Sequence, residues 1–485
     1  MLPKLFIALY VICALLLTLH AVGQTLLLFA YLRHRHNSPP LPPVKGWPTV
    51  VVQLPVYNER HVVRRLLDAI AKLDYPRERL SVQILDDSVD ETTTILAGHV
   101  ETLRRNGLNI HHVRREARTG YKAGALEYGM TLTDSEFVFI LDADFVPPPD
   151  FLRCTIPYLV ADPQLGMVQT RWGHHNPFDN LLTRGQMLAV DSHFVVEQTA
   201  RNRAGLLMNF NGSGGVWRAQ CIRDAGGWSD ATLSEDLDLS YRAQLLGWRF
   251  LYVPTVVVPG ELPPQMAAYK QQQARWAKGS TQCLVSYLGP VWRAPLSLSQ
   301  RLMATQHLCQ YMPHPLTMLL LLLTPPLLMA HGLQSLPLGL LSLVGLWPPL
   351  IAVLSQQTLY PDWRRRLLAF PVLMMLGIGL TWNNTRAVFS GFLGERNEFR
   401  RTPKFAQAWQ GSGYALRGDG SVWMELLMSL YTFWGMTIAF KVAPAFVPYL
   451  GLYAFAFGWI GLWSLRERWQ VGRKPAPQSN VTAPL

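Results

Sequence analysis

The sequence contains few charged residues, which make up only 16% of its 485 positions. Together with a hydrophobic content of 49%, this scarcity is unusual for a soluble protein and indicates long apolar segments. Acidic residues are fewer than basic residues, and the formal net charge is +12. A basic balance suits an anionic membrane surface and a phosphate-bearing substrate. Nucleic acid is not expected as a partner, because the basic residues do not gather around any recognisable nucleic-acid module.

Cysteines are also few, and their positions argue against two common kinds of stabilisation. The five cysteines show no paired metal-ligand spacing, so the sequence predicts neither a zinc site nor a disulfide framework. We expect all of them to be reduced and structural. They are Cys13, Cys154, Cys221, Cys283 and Cys309.

Charged residues are nearly absent from residues 5–32, a stretch long enough to span a bilayer. The stretch exceeds a signal-peptide core and lacks a small-residue cleavage site, so we expect a retained transmembrane helix within residues 1–36. Basic residues 33–36 follow it and, by the positive-inside rule, place the next segment in the cytoplasm. Residues 37–48 are read as a Pro-rich linker.

Residues 49–306 alternate predicted strands with predicted helices, which is the rhythm of a doubly wound, mostly parallel α/β sheet. The predicted strands cover residues 49–54, 81–85, 109–113 and the apolar run that starts at Phe137. Polar residues follow the strands, and the carboxyl ends of parallel strands share one rim, where ligands of such sheets bind.

Two carboxylates stand at the end of the most apolar strand. Asp142 and Asp144 are two residues apart, so on an extended chain they point to the same side and can converge on one cation. Mg²⁺ or Mn²⁺ typically takes one or two protein carboxylates and completes its shell with phosphates and water. A pair of solvated acids at a strand exit is the alternative interpretation.

Three further groups of residues are candidates for substrate binding or catalysis. Asp86 and Asp87 at the second strand exit can accept hydrogen bonds from a ribose or a base edge, although an Asx-type turn is the alternative. Lys122 opens a predicted helix and can contact a phosphate. Asp236 lies in the first turn of another helix, with Ser234 as its predicted N-cap. There it can act as a catalytic base or simply complement the helix dipole.

Two more segments can approach a substrate. Residues 209–218 form a glycine-rich loop without a P-loop lysine, and Gly214 within it allows close approach of the backbone to a ligand. Residues 265–280 are predicted to be a helix on which Gln272, Arg275 and Trp276 share one face. Arg275 can bind a diphosphate and Trp276 can cover a sugar ring, whereas an amphipathic helix at a membrane surface is the alternative.

The second part of the chain is again apolar. Residues 307–356 are predicted to contain two transmembrane helices, and residues 424–466 two more. Residues 357–423 are interpreted as an interfacial or re-entrant segment, because this keeps every basic cluster, including the tail 467–485, on the cytoplasmic side. The prediction is five spans and one membrane-surface segment, with a sixth full span as the alternative.

The motifs Asp-Asp, Asp-Ala-Asp, Ser-Glu-Asp and Gln-x-x-Arg-Trp, in this order, resemble the processive family-2 inverting glycosyltransferases. That group includes cellulose and hyaluronan synthases, mannan synthases and ceramide glucosyltransferase. The resemblance covers residues 49–280 and the membrane arrangement, and it is strongest to the cellulose-synthase-like mannan synthases. It implies a nucleotide-sugar-binding α/β domain of the Rossmann-like GT-A type, joined to a multi-span helical membrane domain.

The resemblance also implies a role for each motif. Asp86 and Asp87, with Lys122, are expected to bind the nucleotide, and Asp142 and Asp144 to hold the metal. The catalytic base is then Asp236. The acceptor and diphosphate side is assigned to Gln272, Arg275, Trp276 and Gly214, and the family's gating loop to Phe399, Thr402 and Lys404.

The function implied is transfer of a hexose, from a donor such as UDP-glucose or GDP-mannose, to a growing β-linked polysaccharide. A single-transfer glycolipid synthase with a lipid acceptor is the alternative, and a membrane transporter or nucleotide-sugar sensor is a distant one. The expected location is an inner, plasma or Golgi-type membrane, in contact with its lipids and with the catalytic domain in the cytoplasm. No appended cyclic-dinucleotide-binding domain is expected.

Overall fold

The computed structural model describes residues 2–333, 345, 347–395, 398–406, 409–410 and 412–472. Its strands are Val50–Val56 (β1), Leu80–Asp86 (β2), Ile110–Arg114 (β3), Phe137–Ile140 (β4), Leu165–His174 (β5), Gly215–Arg218 (β6) and Arg249–Gly260 (β7). They form one seven-stranded sheet in the order β3-β2-β1-β4-β6-β5-β7. The four strands predicted from the sequence are therefore present as its first half.

Helices cover both faces of the sheet and build a second, mainly helical part of the molecule. The helices up to the last strand are Leu2–His34 (α1), Val63–Ala71 (α2), Thr92–Arg105 (α3), Tyr121–Met130 (α4), Phe151–Ala161 (α5), Leu181–Ser192 (α6), Thr199–Arg203 (α7), Ala219–Asp224 (α8) and Glu235–Leu245 (α9). Those that follow are Met266–Arg293 (α10), Leu298–Leu308 (α11), Pro313–Met329 (α12), Trp347–Leu359 (α13), Trp363–Arg366 (α14), Phe370–Gly379 (α15), Thr381–Phe392 (α16), Ser421–Val442 (α17) and Val447–Gly472 (α18).

The sheet is mixed but mostly parallel, in agreement with the prediction of a mostly parallel sheet. Strands β1, β2, β3 and β4 pair in parallel, whereas β6 runs antiparallel to both β4 and β5. Residues 209–218 are predicted to be a loop throughout, but the last four of them form the strand β6. Val216 and Trp217 are completely buried between the neighbouring strands, and this burial favours the extended conformation.

Alternating side chains of the strands enter two separate cores. Val50 and Val52 pack with α2, α3 and α5 on one face, and Val51 packs with α4 and α8 on the other. A sheet buried on both faces explains the continuous apolar runs of β1 and β4. Its carboxyl edge holds the polar turns described below.

Apolar helices α1, α12, α17 and α18 pack together beside the α/β domain. Among the described residues, two helices are long and apolar enough to cross a membrane, Lys4–His34 and Pro444–Val471. Up to four spans result if the bent pairs Leu298–Leu308 with Pro313–Met329, and Trp363–Gly379 with Thr381–Phe392, each count as one. The predicted number of five spans is not established, since residues 334–344 and 346, within one predicted span, lie outside the described residues.

The predicted interfacial segment, residues 357–423, contains two helical stretches, Trp363–Gly379 and Thr381–Phe392, that meet at a bend of 43°. Near the start of this pair, Arg366 contacts Met187 of α6, where Nη1 lies 3.4 Å from Sδ. After the second stretch, the carbonyl of Glu395 accepts a hydrogen bond of 3.1 Å from Lys278 of α10. Both ends of the helix pair therefore lie against the α/β domain. Helix α18 continues to Gly472, into the predicted basic tail 467–485, and residues 473–485 lie outside the described part.

Helix α10 joins the two parts of the molecule through buried charges. Its Lys270 ammonium lies 2.5 Å from the Glu425 carboxylate of α17, and both side chains are buried. At the start of α10, the backbone N–H of Met266 donates to the Glu467 carboxylate of α18. These contacts join α10 to the two last helices of the helical part.

We expect Glu425→Gln to lower the free energy of unfolding by about 3–5 kcal/mol, because the Lys270 ammonium is then buried without its counter-charge. Replacing both partners, as in Lys270→Met with Glu425→Met, removes both charges and should restore most of the loss. Thermal unfolding of the purified protein in detergent measures both changes. Equal losses in the single and the double variant would contradict this account of the ion pair.

Candidate active site

A cavity of about 440 Å³ opens at the carboxyl edge of the sheet. Most residues predicted to bind substrate or to act in catalysis line it, although they come from turns and helices far apart in the chain. These are Asp87, Lys122, Asp142, Asp144, Asp236, Gln272, Arg275, Trp276, Phe399, Thr402 and Lys404. The topology of the sheet and the position of α10 therefore bring the separate motifs to one place.

The turn after β2 separates the two predicted nucleotide-binding aspartates. Asp86 lies behind the cavity wall, where its carboxylate accepts hydrogen bonds from Ser88 N, Thr93 Oγ1 and His112 Nε2, each of 2.9 Å. Burial raises the pKa of Asp86, but these hydrogen bonds outweigh it and bring the pKa below its ordinary value. Asp86 thus organises the turn, and only Asp87 faces the cavity.

Asp87 is held in place by Arg115, whose Nε donates to Oδ1 at 3.0 Å. Next to it, the Arg118 guanidinium lies 3.4 Å from the centre of the Tyr57 ring. Arg118 and Tyr57 also line the cavity, although neither was predicted as a site residue. The only indication of these two residues in the sequence is that they lie in the loops that follow β1 and β3. The stack offers a flat, positively charged surface beside Asp87.

Lys122, in the first turn of α4, contacts three other segments that line the cavity. Its Nζ lies 2.6 Å from Asp142 Oδ1 and 3.4 Å from Glu235 Oε1, and it donates to the Gly212 carbonyl at 2.9 Å. Burial alone lowers the pKa of Lys122, but the carboxylates of Asp142 and Glu235 outweigh this effect and raise it above its ordinary value. Lys122 therefore remains protonated and links α4 to three other segments.

Asp142 and Asp144 lie in the turn after β4 and not on the strand itself, which ends at Ile140. Both face the cavity. Asp144 Oδ2 accepts hydrogen bonds of 2.8 Å from Glu261 N and from Lys404 Nζ. Burial raises the pKa of Asp142, and Lys122 partly offsets this rise.

In the described ranges, no group of three or more His, Cys, Asp and Glu side chains is arranged to hold a metal. Two carboxylates facing one cavity nevertheless fit a hard cation that takes its other ligands from substrate oxygens.

Asp236, in the first turn of α9, faces the cavity next to Gly212. Gly212 has a left-handed φ of +82°, and a side chain at this position would approach Asp236 Oδ2 to 3.0 Å. Burial first, and then the neighbouring Glu235, raise the pKa of Asp236 to about 7. Ser234 occupies the N-cap position as predicted, but its side chain makes no capping hydrogen bond. Asp238 lies away from the cavity and binds Arg242.

Helix α10 supplies one wall of the cavity through Gln272, Arg275 and Trp276, which share one face as predicted. Gly214 does not line the cavity, in contrast to its predicted role. It has a φ of +69°, and its carbonyl accepts a hydrogen bond of 2.6 Å from Thr170 Oγ1 within the sheet. The glycine of this loop that does face the cavity is Gly212.

The segment 398–406 covers the cavity. Its Phe399 ring stacks on Tyr121 at 6.0 Å and lies 4.6 Å below the Arg275 guanidinium. The carboxylate of Glu261, directly after β7, accepts hydrogen bonds of 2.6 and 3.0 Å from the backbone N–H groups of Phe405 and Ala406. Sequence reasoning missed Glu261, although a polar residue at a strand end was the signal used for the other acids.

A mixed sheet with a carboxylate-rich site at its carboxyl edge is the architecture of a GT-A type glycosyltransferase. Residues 48–279 match the model of the family described as glycosyltransferase like family 2. A mannosyltransferase from Pyrobaculum calidifontis, solved in complex with GDP-Man and Mn2+, superimposes with a TM-score of 0.54 at 23% identity. The match covers 80% of this chain and 100% of that one, and it supports the fold.

Curated relatives agree with this assignment. The chain is 46% identical over 238 residues to a probable glucomannan 4-beta-mannosyltransferase 6 of Oryza sativa subsp. japonica. It is 44% identical over 239 residues to glucomannan 4-beta-mannosyltransferase 1 of Cyamopsis tetragonoloba. Each match covers 48% of this chain but only 42% and 45% of the respective relative. Residues 48–279 are thus a family 2 glycosyltransferase domain, and the chain matches less than half the length of these relatives.

We expect Glu261→Gln to release the segment 398–406, because an amide offers one acceptor oxygen where the carboxylate offers two. Hydrogen bonds to a charged group contribute about 1.5–3 kcal/mol, so amide exchange at Phe405 and Ala406 should accelerate by roughly ten- to a hundredfold. Hydrogen–deuterium exchange with mass spectrometry measures this. Glu116→Gln, on the exposed surface, is the matched control, and unchanged protection in Glu261→Gln would contradict the anchoring role.

Proposed function

We propose that the protein is an inverting hexosyltransferase that lengthens a β-linked polysaccharide from a nucleotide-diphosphate sugar. The mannosyltransferase relatives support a mannose donor, and GDP-mannose, to which the structural neighbour is bound, is the first donor to test, with UDP-glucose as the second. The observation that carries the proposal is the position of Asp236. Its carboxylate faces the same cavity as Asp142, Asp144 and Trp276.

Asp236 is suited to act as the catalytic base. A base is most effective when its pKa lies near the working pH, and burial together with Glu235 raises the pKa of Asp236 to about 7. In the reaction, Asp236 accepts the proton of the acceptor hydroxyl while that oxygen bonds to the anomeric carbon. The bond from this carbon to the diphosphate oxygen breaks, and its electron pair leaves with the nucleoside diphosphate. A single displacement inverts the anomer, so an α-linked donor gives a β-glycoside.

The other residues of the cavity hold the two substrates. Asp87 and the Arg118 stack form the nucleotide side, whereas Arg275 and Trp276 supply a cation and a flat apolar wall on the sugar side. Asp142 and Asp144 would hold Mg²⁺ or Mn²⁺, which neutralises charge on the leaving diphosphate when bound. Lys122 stays cationic beside Asp142 and keeps the glycine-rich loop against Asp236.

Membranes that contain the full chain, incubated with a panel of radiolabelled nucleotide sugars, test this function. We expect label from one donor to enter a polymer that grows with time. A product of one sugar on a lipid would instead identify a single-transfer glycolipid synthase. Absence of transfer from every donor would overturn the proposal.

We further propose that the long apolar helices span a membrane with the α/β domain on its cytoplasmic side. The contacts of α10 with α17 and α18 put the carboxyl end of α18 on the side of the sheet. Cysteines engineered at exposed Glu116 and Lys441 should therefore label from opposite sides in sealed vesicles. Labelling of both from the same side would contradict the orientation.

We expect Asp236→Asn to bind the nucleotide sugar almost as well as the parent and to turn over at least about a hundredfold more slowly. In the parent, the rate should rise with pH through about 7, because Asp236 is ionised above its pKa and protonated below it. The variant should lose this limb of the profile. Asp238→Asn is the control on the same helix, since Asp238 does not line the cavity. If turnover of Asp236→Asn falls only a few-fold, Glu235 is the next candidate for the base.

We expect Asp144→Asn to abolish transfer while the fold is kept, because Asp144 lies at the rim and not in either apolar core. A chelator should have the same effect on the parent, and added Mn²⁺ or Mg²⁺ should reverse it. Isothermal titration of Mn²⁺ in the presence of a nucleoside diphosphate gives a second readout, on binding alone. Full activity in chelator would remove the metal from the proposal.

A further inference from the structure

A second cavity, of about 1160 Å³, lies on another face of α10. Gln272 and Trp276 face the active-site cavity, whereas Lys270, Gln271 and Ala274 line this one. The remaining walls come from α16, the segment 398–401, residues 416–419 and the ends of α17 and α18. We call this space the basic cavity, because eight Lys and Arg side chains line it, against three acids.

Most of these cations are already engaged. Arg386 pairs with Asp419 at 2.8 Å and Arg400 with Glu398 at 2.8 Å, while Lys270 pairs with Glu425. The other engaged cations contact ring faces, carbonyl groups or carboxylates outside the cavity. Their charges are therefore largely balanced within the protein.

Arg417 and Arg468 are different. Both line the basic cavity and are exposed, and neither pairs with a carboxylate among the described residues. None of the residues 1, 334–344, 346, 396–397, 407–408, 411 and 473–485, which lie outside the described ranges, is Asp or Glu. Two unbalanced guanidinium groups in a concave, partly apolar space attract an anion. Phosphate groups suit them, because guanidinium binds phosphate through two parallel hydrogen bonds.

The rim of the basic cavity is apolar. Phe389 and Leu393, one turn apart at the end of α16, line the cavity and are 56% and 75% exposed. Arg468 follows the apolar stretch of the candidate span Pro444–Val471, and Trp469 next to it is 66% exposed. An exposed Trp beside basic residues at the end of a span is typical of the headgroup level of a membrane.

From this combination we propose that the basic cavity binds an anionic membrane lipid, with its phosphate on Arg417 and Arg468 and its acyl chains on Phe389 and Leu393. A soluble phosphate would use the arginines but would leave the apolar rim exposed. Basic pockets beside spans on the cytoplasmic side are suited to such headgroups. The proposal rests on the membrane location proposed above and not on sugar transfer.

The test compares the full chain with two variants after reconstitution in phosphatidylcholine nanodiscs with and without phosphatidylglycerol. Native mass spectrometry counts the phosphatidylglycerol that each protein retains. We expect Arg417→Gln with Arg468→Gln to weaken retention by roughly five-fold per arginine, since a basic residue near an anionic surface contributes about 1 kcal/mol. Arg466→Gln is the matched control, because Arg466 is exposed on the same helix but does not line the cavity.

Retention that falls in the double variant and not in Arg466→Gln supports the site. Equal retention in all three proteins, or an equal loss in both variants, overturns it, because only general surface charge is then involved. Glycerol phosphate that displaces the lipid at equal concentration also overturns it, because the ligand is then a free phosphate. Lipid retention is measured without donor or acceptor, so a failure of the proposed transfer reaction leaves this result interpretable.

Discussion

The structure depends on the balance between negative and positive side chains around the active-site cavity. Burial raises the pKa of several of its acids, including Asp142, Glu261 and Glu59, the last to about 8. Lys122 and Lys404 lie against these acids and offset part of the cost of burying them. The acids that line the cavity are Glu59, Asp87, Asp142, Asp144, Glu235, Asp236 and Glu261.

The two lysines come from different parts of the chain. Lys122 belongs to the first half of the sheet and lies beside Asp142, whereas Lys404 belongs to the segment that follows α16 and reaches Asp144 from 260 residues away. The α/β domain alone therefore lacks one of the two lysines that lie against these acids. Because α10 is joined to α17 by Lys270 and Glu425, the helical part fixes one wall of the cavity as well as its cover.

The sequence was sufficient to predict the first four strands and the placement of most residues around the cavity. Each predicted residue was conspicuous because it broke an apolar run or stood in a spaced motif, as Asp142 and Trp276 do. Predictions were wrong where tertiary contacts decide. Strand β6 was missed because its extended form depends on the burial of Val216 and Trp217 between neighbours that the local sequence does not reveal. Gly214 was predicted to approach a ligand, whereas the glycine of this loop that lines the cavity is Gly212.

The roles of Glu261 and Arg118 could not be read from the sequence, because each depends on a partner distant in the chain or on a stack between loops. The number of spans could not be predicted from the sequence either. Helices such as α11 and α12 meet at a sharp bend, and the apolar length of a segment does not show where a bend falls.

The anchoring of the cover to Glu261 has a consequence for how its sequence can vary. Glu261 binds the backbone N–H groups of Phe405 and Ala406, which every amino acid except proline possesses. The attachment therefore places little demand on the identity of these two side chains. Proline is excluded at Ala406 for a second reason, since the residue has a left-handed φ of 57° that the proline ring cannot adopt. The attachment of the cover to the sheet can therefore be preserved while these two side chains, neither of which lines the cavity, vary.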